Sequence, residues 1–251
     1  MKQSLVLIIL ATFFISCATK KEIIYFQDLE ELNNTDIQQA FEPLIEQNDI
    51  LFISISSIDD AIVKPFNRQT GLEGTVNNSN PDLNGYLVNA DGLINFPVLG
   101  KMVVANKTRG EVEEMLTREL REYVKDVVVD VRIMNFKITV LGEVEQPGVY
   151  TIKNERVTLP EALGLAGDLT DLALRDQISI IREEGGKRVV TTVDITQTDF
   201  FTGPFYFLKQ NDVVYVQPSQ KGVKKSGFIP DVPALLSLFT VILSTVIIIS
   251  R

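Results

Sequence analysis

Nineteen consecutive residues near the end of the chain, Val232 to Ser250, carry no charge. At about 1.5 Å per residue, a helix of that length covers roughly 28 Å, close to the ~30 Å hydrocarbon core of a bilayer. Asp231 stands where an N-cap would, and Pro233 falls in the first turn. A helix lying on a water-soluble core should show a polar face, and this one hardly does. The segment therefore predicts a C-terminal transmembrane helix. Its few polar residues are spaced to share a face: Ser237, Thr240 and Ser244, with Thr245 adjoining. That stripe has three readings. It lines a water-filled lumen in a ring of helices, or it is a small-residue packing seam, or its hydroxyls bond their own helix carbonyls. The sequence leaves all three open.

The other end carries a second apolar run. After Lys2, Leu5 to Ile15 is uncharged, long enough for the core of a signal peptide and too short to span. Ser16 and Ala18 flank Cys17, the only cysteine. The run Phe14-Ile15-Ser16-Cys17 resembles a lipobox, with Phe14 where Leu is usual. The resemblance implies that residues 1–16 are removed and that Cys17 carries lipid; no other cofactor is implied.

One cysteine makes no intrachain disulfide, so the fold must hold by its core. The remaining 235 residues, 17–251, suffice for one large or two small domains. Loss of Lys2 takes the net charge from −9 to −10, which disfavours nucleic acid. There is no histidine, so Ser-His-Asp catalysis and His-ligated zinc are excluded. No phosphate-binding glycine loop or nucleophile elbow occurs. The acidic pairs Asp59-Asp60, Glu113-Glu114 and Glu183-Glu184 read as solvated surface. The chain does not read as an enzyme.

Residues 17–40 are polar and read as a tether, with one short strand around Ile23 to Phe26. Residues 41–135 read as an α+β unit. Asp49 to Ser56 is strand-like, 67–84 is a loop, and two apolar runs around Asn89-Ala90-Asp91-Gly92 predict a hairpin. Thr108 and Glu111 form a capping-box pair opening a helix. Val112, Met115, Leu116, Leu120, Tyr123 and Val124 make its apolar stripe. Val127 to Ile133 is a strand.

Residues 136–218 read as a second unit. Phe136 to Val144 and Val149 to Ile152 are strand-like around a turn at Pro147-Gly148. Thr158 and Glu161 repeat the capping-box spacing, with Pro160 in the first turn and Gly167 at the stop. Ile178 to Ile181 and Arg188 to Val193 flank Glu183 to Gly186 as a hairpin. Asp212 to Val216 closes the unit, and strands wrapped about one short helix suggest a β-grasp. Residues 219–251 are linker and C-terminal membrane helix.

Several of these segments resemble one family. Val140 to Tyr150, Thr158 to Gly167 and Asp212 to Pro218 are similar to the opening, helix and closing strand of an SLBB domain, a soluble ligand-binding β-grasp. Asn48 to Ile55, Gly85 to Gly100 and the Thr108 helix resemble the polysaccharide-export domain. Over residues 41–218 the ordered set resembles the outer-membrane polysaccharide export lipoproteins, Wza-like. That resemblance implies an oligomeric ring with periplasmic domains, lipid-anchored at the cell outer membrane, whose C-terminal helices cross it as a barrel. Capsular or extracellular polysaccharide would pass through. An inner-membrane copolymerase, often with a tyrosine kinase domain, would dock beneath. There is one SLBB-like unit here, where longer relatives carry more. Two rival readings are a non-channel envelope lipoprotein that binds sugar or peptidoglycan, and an inner-membrane accessory protein of the same pathway.

Overall fold

A computed structural model of the chain describes residues 24–32, 41–68, 85–220 and 232–249. The expected signal peptide at 1–16, Cys17, most of the tether and nearly all of the linker after residue 218 lie outside these residues.

The first group of elements is built on β1 (Ile50–Ser56), the centre of a three-stranded antiparallel sheet. β2 (Tyr86–Leu87) and β5 (Val128–Ile133) flank it. Leu51, Ile53 and Ile55 of β1 are buried while Phe52 and Ser56 face out, the alternation a one-sided sheet requires. Helix α2 (Arg109–Leu120) covers this sheet with Val112, Leu116 and Leu120, and Val124 continues its stripe just beyond the helix. Both halves of its capping box form: Glu111 N–H donates to the Thr108 hydroxyl, and Thr108 N–H donates to Glu111 Oε2. A four-residue helix, α1 (Asp60–Val63), follows β1 and is capped by Asp59.

The hairpin expected around Asn89 to Gly92 is only half right. The turn exists, with Gly92 N–H donating to Asn89 O at 2.9 Å. The strand before it, β2, pairs with β1 instead. The strand after it, β3 (Leu93–Phe96), pairs with β4 (Gly100–Val103) across Pro97 to Leu99. Tyr86 and Val88 are buried, and β1 offers them a longer partner than β3 does. Nor do residues 24–32 form a strand; they end in a 3-10 turn at Leu29–Leu32.

The second group is a five-stranded sheet in the order β10-β9-β12-β6-β7. Its strands are β6 (Lys137–Gly142), β7 (Gly148–Thr151), β9 (Ala173–Glu184), β10 (Lys187–Val193) and β12 (Val213–Pro218). The last strand sits in the middle, parallel to β6 and antiparallel to β9. Its Val214 and Val216 are fully buried, as a central strand needs. A minor pair, β8 (Val157–Thr158) with β11 (Phe207–Leu208), leads into helix α3 (Leu159–Leu165), which buries Leu159, Ala162 and Leu163. The predicted capping box of Thr158 and Glu161 is present. β9 and β10 join through Gly185 and Gly186, both at positive φ, as a two-residue hairpin turn demands. Gly142 ends β6 where a Cβ would meet Val216 O at 1.9 Å. Only glycine allows β12 to come so close.

One buried ion pair ties this sheet to its loops. Arg182 and Asp212 are 5% and 0% exposed and meet at 2.6 Å. Arg182 also donates to Phe207 O at 3.1 Å and lies over the Phe205 ring.

Residues Val232–Ile249 form helix α4, of 18 residues. The expected helix is thus present; the expected span is not. Among the described residues, no helix is long and apolar enough to cross a membrane. At about 1.5 Å per residue, 18 residues cover roughly 27 Å, at the low end of what crosses a ~30 Å core.

Candidate functional site

The residues singled out from sequence fall in two places. Cys17 lies outside the described residues. Ser237, Thr240 and Ser244 lie on α4, exposed. Thr240 Oγ1 donates to Ser237 O at 2.8 Å, and Ser244 Oγ donates to Val241 O at 2.9 Å. Thr245 does the same to Val241 O at 2.7 Å. These three hydroxyls donate within the helix, and their oxygens keep lone pairs for another donor. Leu238, Phe239, Val241, Ile242 and Ile248 are also exposed, between 54% and 75%.

Sequence reasoning missed the seam between the two groups of elements. It is closed by polar side chains bonding to backbone on both sides. Asn135 Oδ1 accepts from Ile50 N–H at 2.8 Å, and its Nδ2 donates to Asn48 O at 3.0 Å. Gln210 takes Lys137 N–H at 2.7 Å and donates to Asn135 O at 2.8 Å. Glu155 Oε1 accepts from Ile133 N–H at 2.7 Å. Phe136, fully buried, fills the middle of the connection. Asp49, 1% exposed, sits at the same seam. Its Oδ2 accepts from Glu46 N–H at 2.8 Å, while its Oδ1 makes no hydrogen bond of good geometry. Burial pushes its carboxyl up to about 6, against the pull of that N–H and of the Gln210 side chain. Burial and the neighbouring Asp49 raise Glu46 as well.

A cleft of about 440 Å³ opens on this seam, lined by Phe41, Arg109, Arg132, Lys153, Glu155 and Arg156 among others. Three parts of the chain meet there: the run into β1, the start of α2 with the end of β5, and the turn between β7 and α3. Glu155 holds that turn in place from a positive φ of 56°. No spacing in the sequence marks these cations as neighbours, because they come together only when both groups pack. Among the described residues, no group of three His, Cys, Asp or Glu side chains is placed to hold a metal.

Residues 24–32 dock against the second group. Phe26 N–H donates to Ile195 O at 3.3 Å and Gln27 N–H to Thr196 O at 2.7 Å. The Phe26 ring stacks on Phe200 with centroids 5.8 Å apart. The Tyr25 hydroxyl donates to Asp168, and Arg175 lies over its ring at 5.2 Å. Burial, then the hydrogen bond and charge of Asp168, push the Tyr25 phenol up to about 12.

Comparison with known proteins locates both groups. Residues 38–134 match the family described as polysaccharide biosynthesis/export protein, and residues 137–192 match the SLBB domain. The chain is 34% identical over 143 residues to the EPS I polysaccharide export outer membrane protein EpsA of Ralstonia solanacearum, covering 56% of this chain and 38% of that protein. It is 32% identical over 140 residues to the protein of the same name from Ralstonia nicotianae, covering 55% of this chain and 36% of that one. The chain thus matches well under half the length of these curated relatives. Their named role is export, which is transport and not catalysis.

Proposed function

We propose that this chain, whose residues 38–134 match the polysaccharide biosynthesis/export family and whose residues 137–192 match the SLBB domain, is a subunit of an outer-membrane channel for capsular or extracellular polysaccharide. The channel is an oligomeric ring and a passive conduit, and an inner-membrane copolymerase or tyrosine kinase feeds it. Lipid on Cys17 anchors the chain, and residues 41–218 hang in the periplasm.

The observation that carries this reading is the uncharged, exposed helix α4 beyond two units of export-family type. A lone helix encloses nothing and, at roughly 27 Å, is short for an average bilayer. Short helices are accommodated by oligomerising and by thinner membranes, and the bacterial outer membrane is thinner than average. Stable lipid anchoring already takes two or more acyl chains, so α4 is free to serve as a stave. The stripe of Ser237, Thr240 and Ser244 then faces the lumen or a neighbouring helix.

Both membrane-directed ends leave from the second group. Residues 24–32 dock there, and Ile24 is only seven residues from Cys17, a reach of at most about 25 Å. β12 ends there too, with Ser219 N–H donating to Leu172 O at 2.6 Å. On this reading the SLBB side faces the membrane and the export domain lies away from it.

Deleting residues 232–251 tests the proposal. Surface polymer should vanish while the truncated protein still accumulates. Unchanged surface polymer would remove the helix from the mechanism. An image of the purified particle should show a ring; a monomer in detergent would favour the binding-lipoprotein alternative.

A further inference from the structure

The cleft at the seam is lined by four cations and three carboxylates. Each carboxylate takes a backbone N–H: Glu42 accepts from Gly110, Glu155 from Ile133 and Glu161 from Thr158. The cations keep more of their capacity unused. Arg109 reaches Glu113 only at 3.9 Å. Arg132 pairs with Asp130 through one edge, at 2.9 Å, leaving the rest of its fork open. Arg156 lies over the Phe207 ring at 5.6 Å with no acidic partner among the described residues, and Lys153 has none either. Most of the unused capacity in the cleft is therefore donor capacity, and an anionic acceptor gains most from it.

The wall also offers a flat apolar face. Phe41 stacks on Phe207 with centroids 5.0 Å apart and planes 9° from parallel. An aromatic face beside hydrogen-bond donors suits a ring with one C–H face and a polar edge, which describes a sugar. The volume lies within the usual range for small-molecule sites, roughly 300–1,000 Å³. The cation-bearing turn is pinned by Glu155 across the seam and by the cap of α3, so these donors are held in place before any ligand arrives. Four cations against the three carboxylates Glu42, Glu155 and Glu161 leave the lining net positive in a chain of net charge −9.

We propose that this cleft binds an acidic sugar unit, one bearing a carboxylate or a phosphate ester. The inference rests on the export reading and narrows the polymer to an anionic one. Arg109 and Arg132 reach it from the export domain, Lys153 and Arg156 from the SLBB side, and Phe41 takes the C–H face of the ring. The donors are largely exposed, so binding is weak and salt-sensitive. Weak binding suits a polymer that must keep moving.

The test is calorimetric titration of the full chain in detergent with trigalacturonate, mannose 6-phosphate and neutral maltotriose. At least one anionic probe should bind. Lys153→Ala/Arg156→Ala should weaken it by about tenfold or more, the loss expected for charge-assisted hydrogen bonds. Arg118→Ala, an exposed arginine on the outer side of α2, should leave it unchanged. Which anionic probe binds tells carboxylate from phosphate. Maltotriose binding as tightly as the anions, no anionic binding, or equal loss in the Arg118 variant would each overturn the assignment. A ring without anionic binding would sink this proposal and leave the channel standing. A monomer that binds would do the reverse.

Discussion

Asp49 is a carboxyl group that folding holds unfavourably, and replacing it should show by how much. It is 1% exposed, and burial, with the charge of Glu155 adding to it, outweighs the pull of Glu46 N–H and the Gln210 side chain. Its ordinary value is 3.8 and its folded value about 6. The folded state therefore keeps a proton that the unfolded chain has released. That stabilisation is fully present below about pH 4 and is lost as pH rises through 6. A gap of about two units corresponds to roughly 3 kcal/mol. Asp49→Asn cannot titrate. Its stability relative to the parent should rise by roughly 2–3 kcal/mol between pH 4 and pH 7.5, measured by urea unfolding followed by circular dichroism. Comparing the two pH values cancels any packing difference between the side chains. Glu46, raised in part by Asp49, relaxes in the variant and pushes the same way. A stability gap that stays constant across this range, or shrinks as pH rises, would refute the reasoning.

Two further substitutions probe the second group. Asp212→Asn leaves Arg182 buried without its charge partner, and should cost about 3–5 kcal/mol in urea unfolding; a loss below about 1 kcal/mol would show that the loop carbonyls hold Arg182 on their own. Phe26→Ala removes the ring that stacks on Phe200 and Phe201. Limited proteolysis should then cut within residues 24–32 several times faster, while the second group keeps its melting temperature within a few degrees.

What the sequence made legible was local. Both capping boxes are read from residues three apart, and both form, because a hydroxyl and a carboxylate at that spacing reach the orphan N–H groups of one turn. The stripe on α2 buries Val112, Leu116 and Leu120 as its spacing requires, though Tyr123 stays 54% exposed against Phe66. The Gly185-Gly186 hairpin was equally plain. Strand pairing was not. The run before Asn89 has the same alternation whichever strand it joins, and it joined β1, more than thirty residues earlier in the chain. Nothing local marks Arg182 and Asp212 as a buried pair, since they meet across 30 residues of chain.

The seam shows the same limit at the scale that matters for function. Asn135, Glu155 and Gln210 are polar residues in loop-like surroundings, and each reads by itself as solvated. Their roles appear only once β1 and β6 lie close enough for one side chain to reach backbone on both sides. The cations of the cleft follow from that closure: two stand on the export domain and two on the SLBB side. Either unit alone would present scattered cations, and the donor-rich cleft exists only in the joined pair. Glu155 links the two facts, since the carboxylate that bonds across the seam also fixes the turn bearing Lys153 and Arg156. Any change that loosens the seam should therefore weaken anionic-sugar binding without touching a cleft cation.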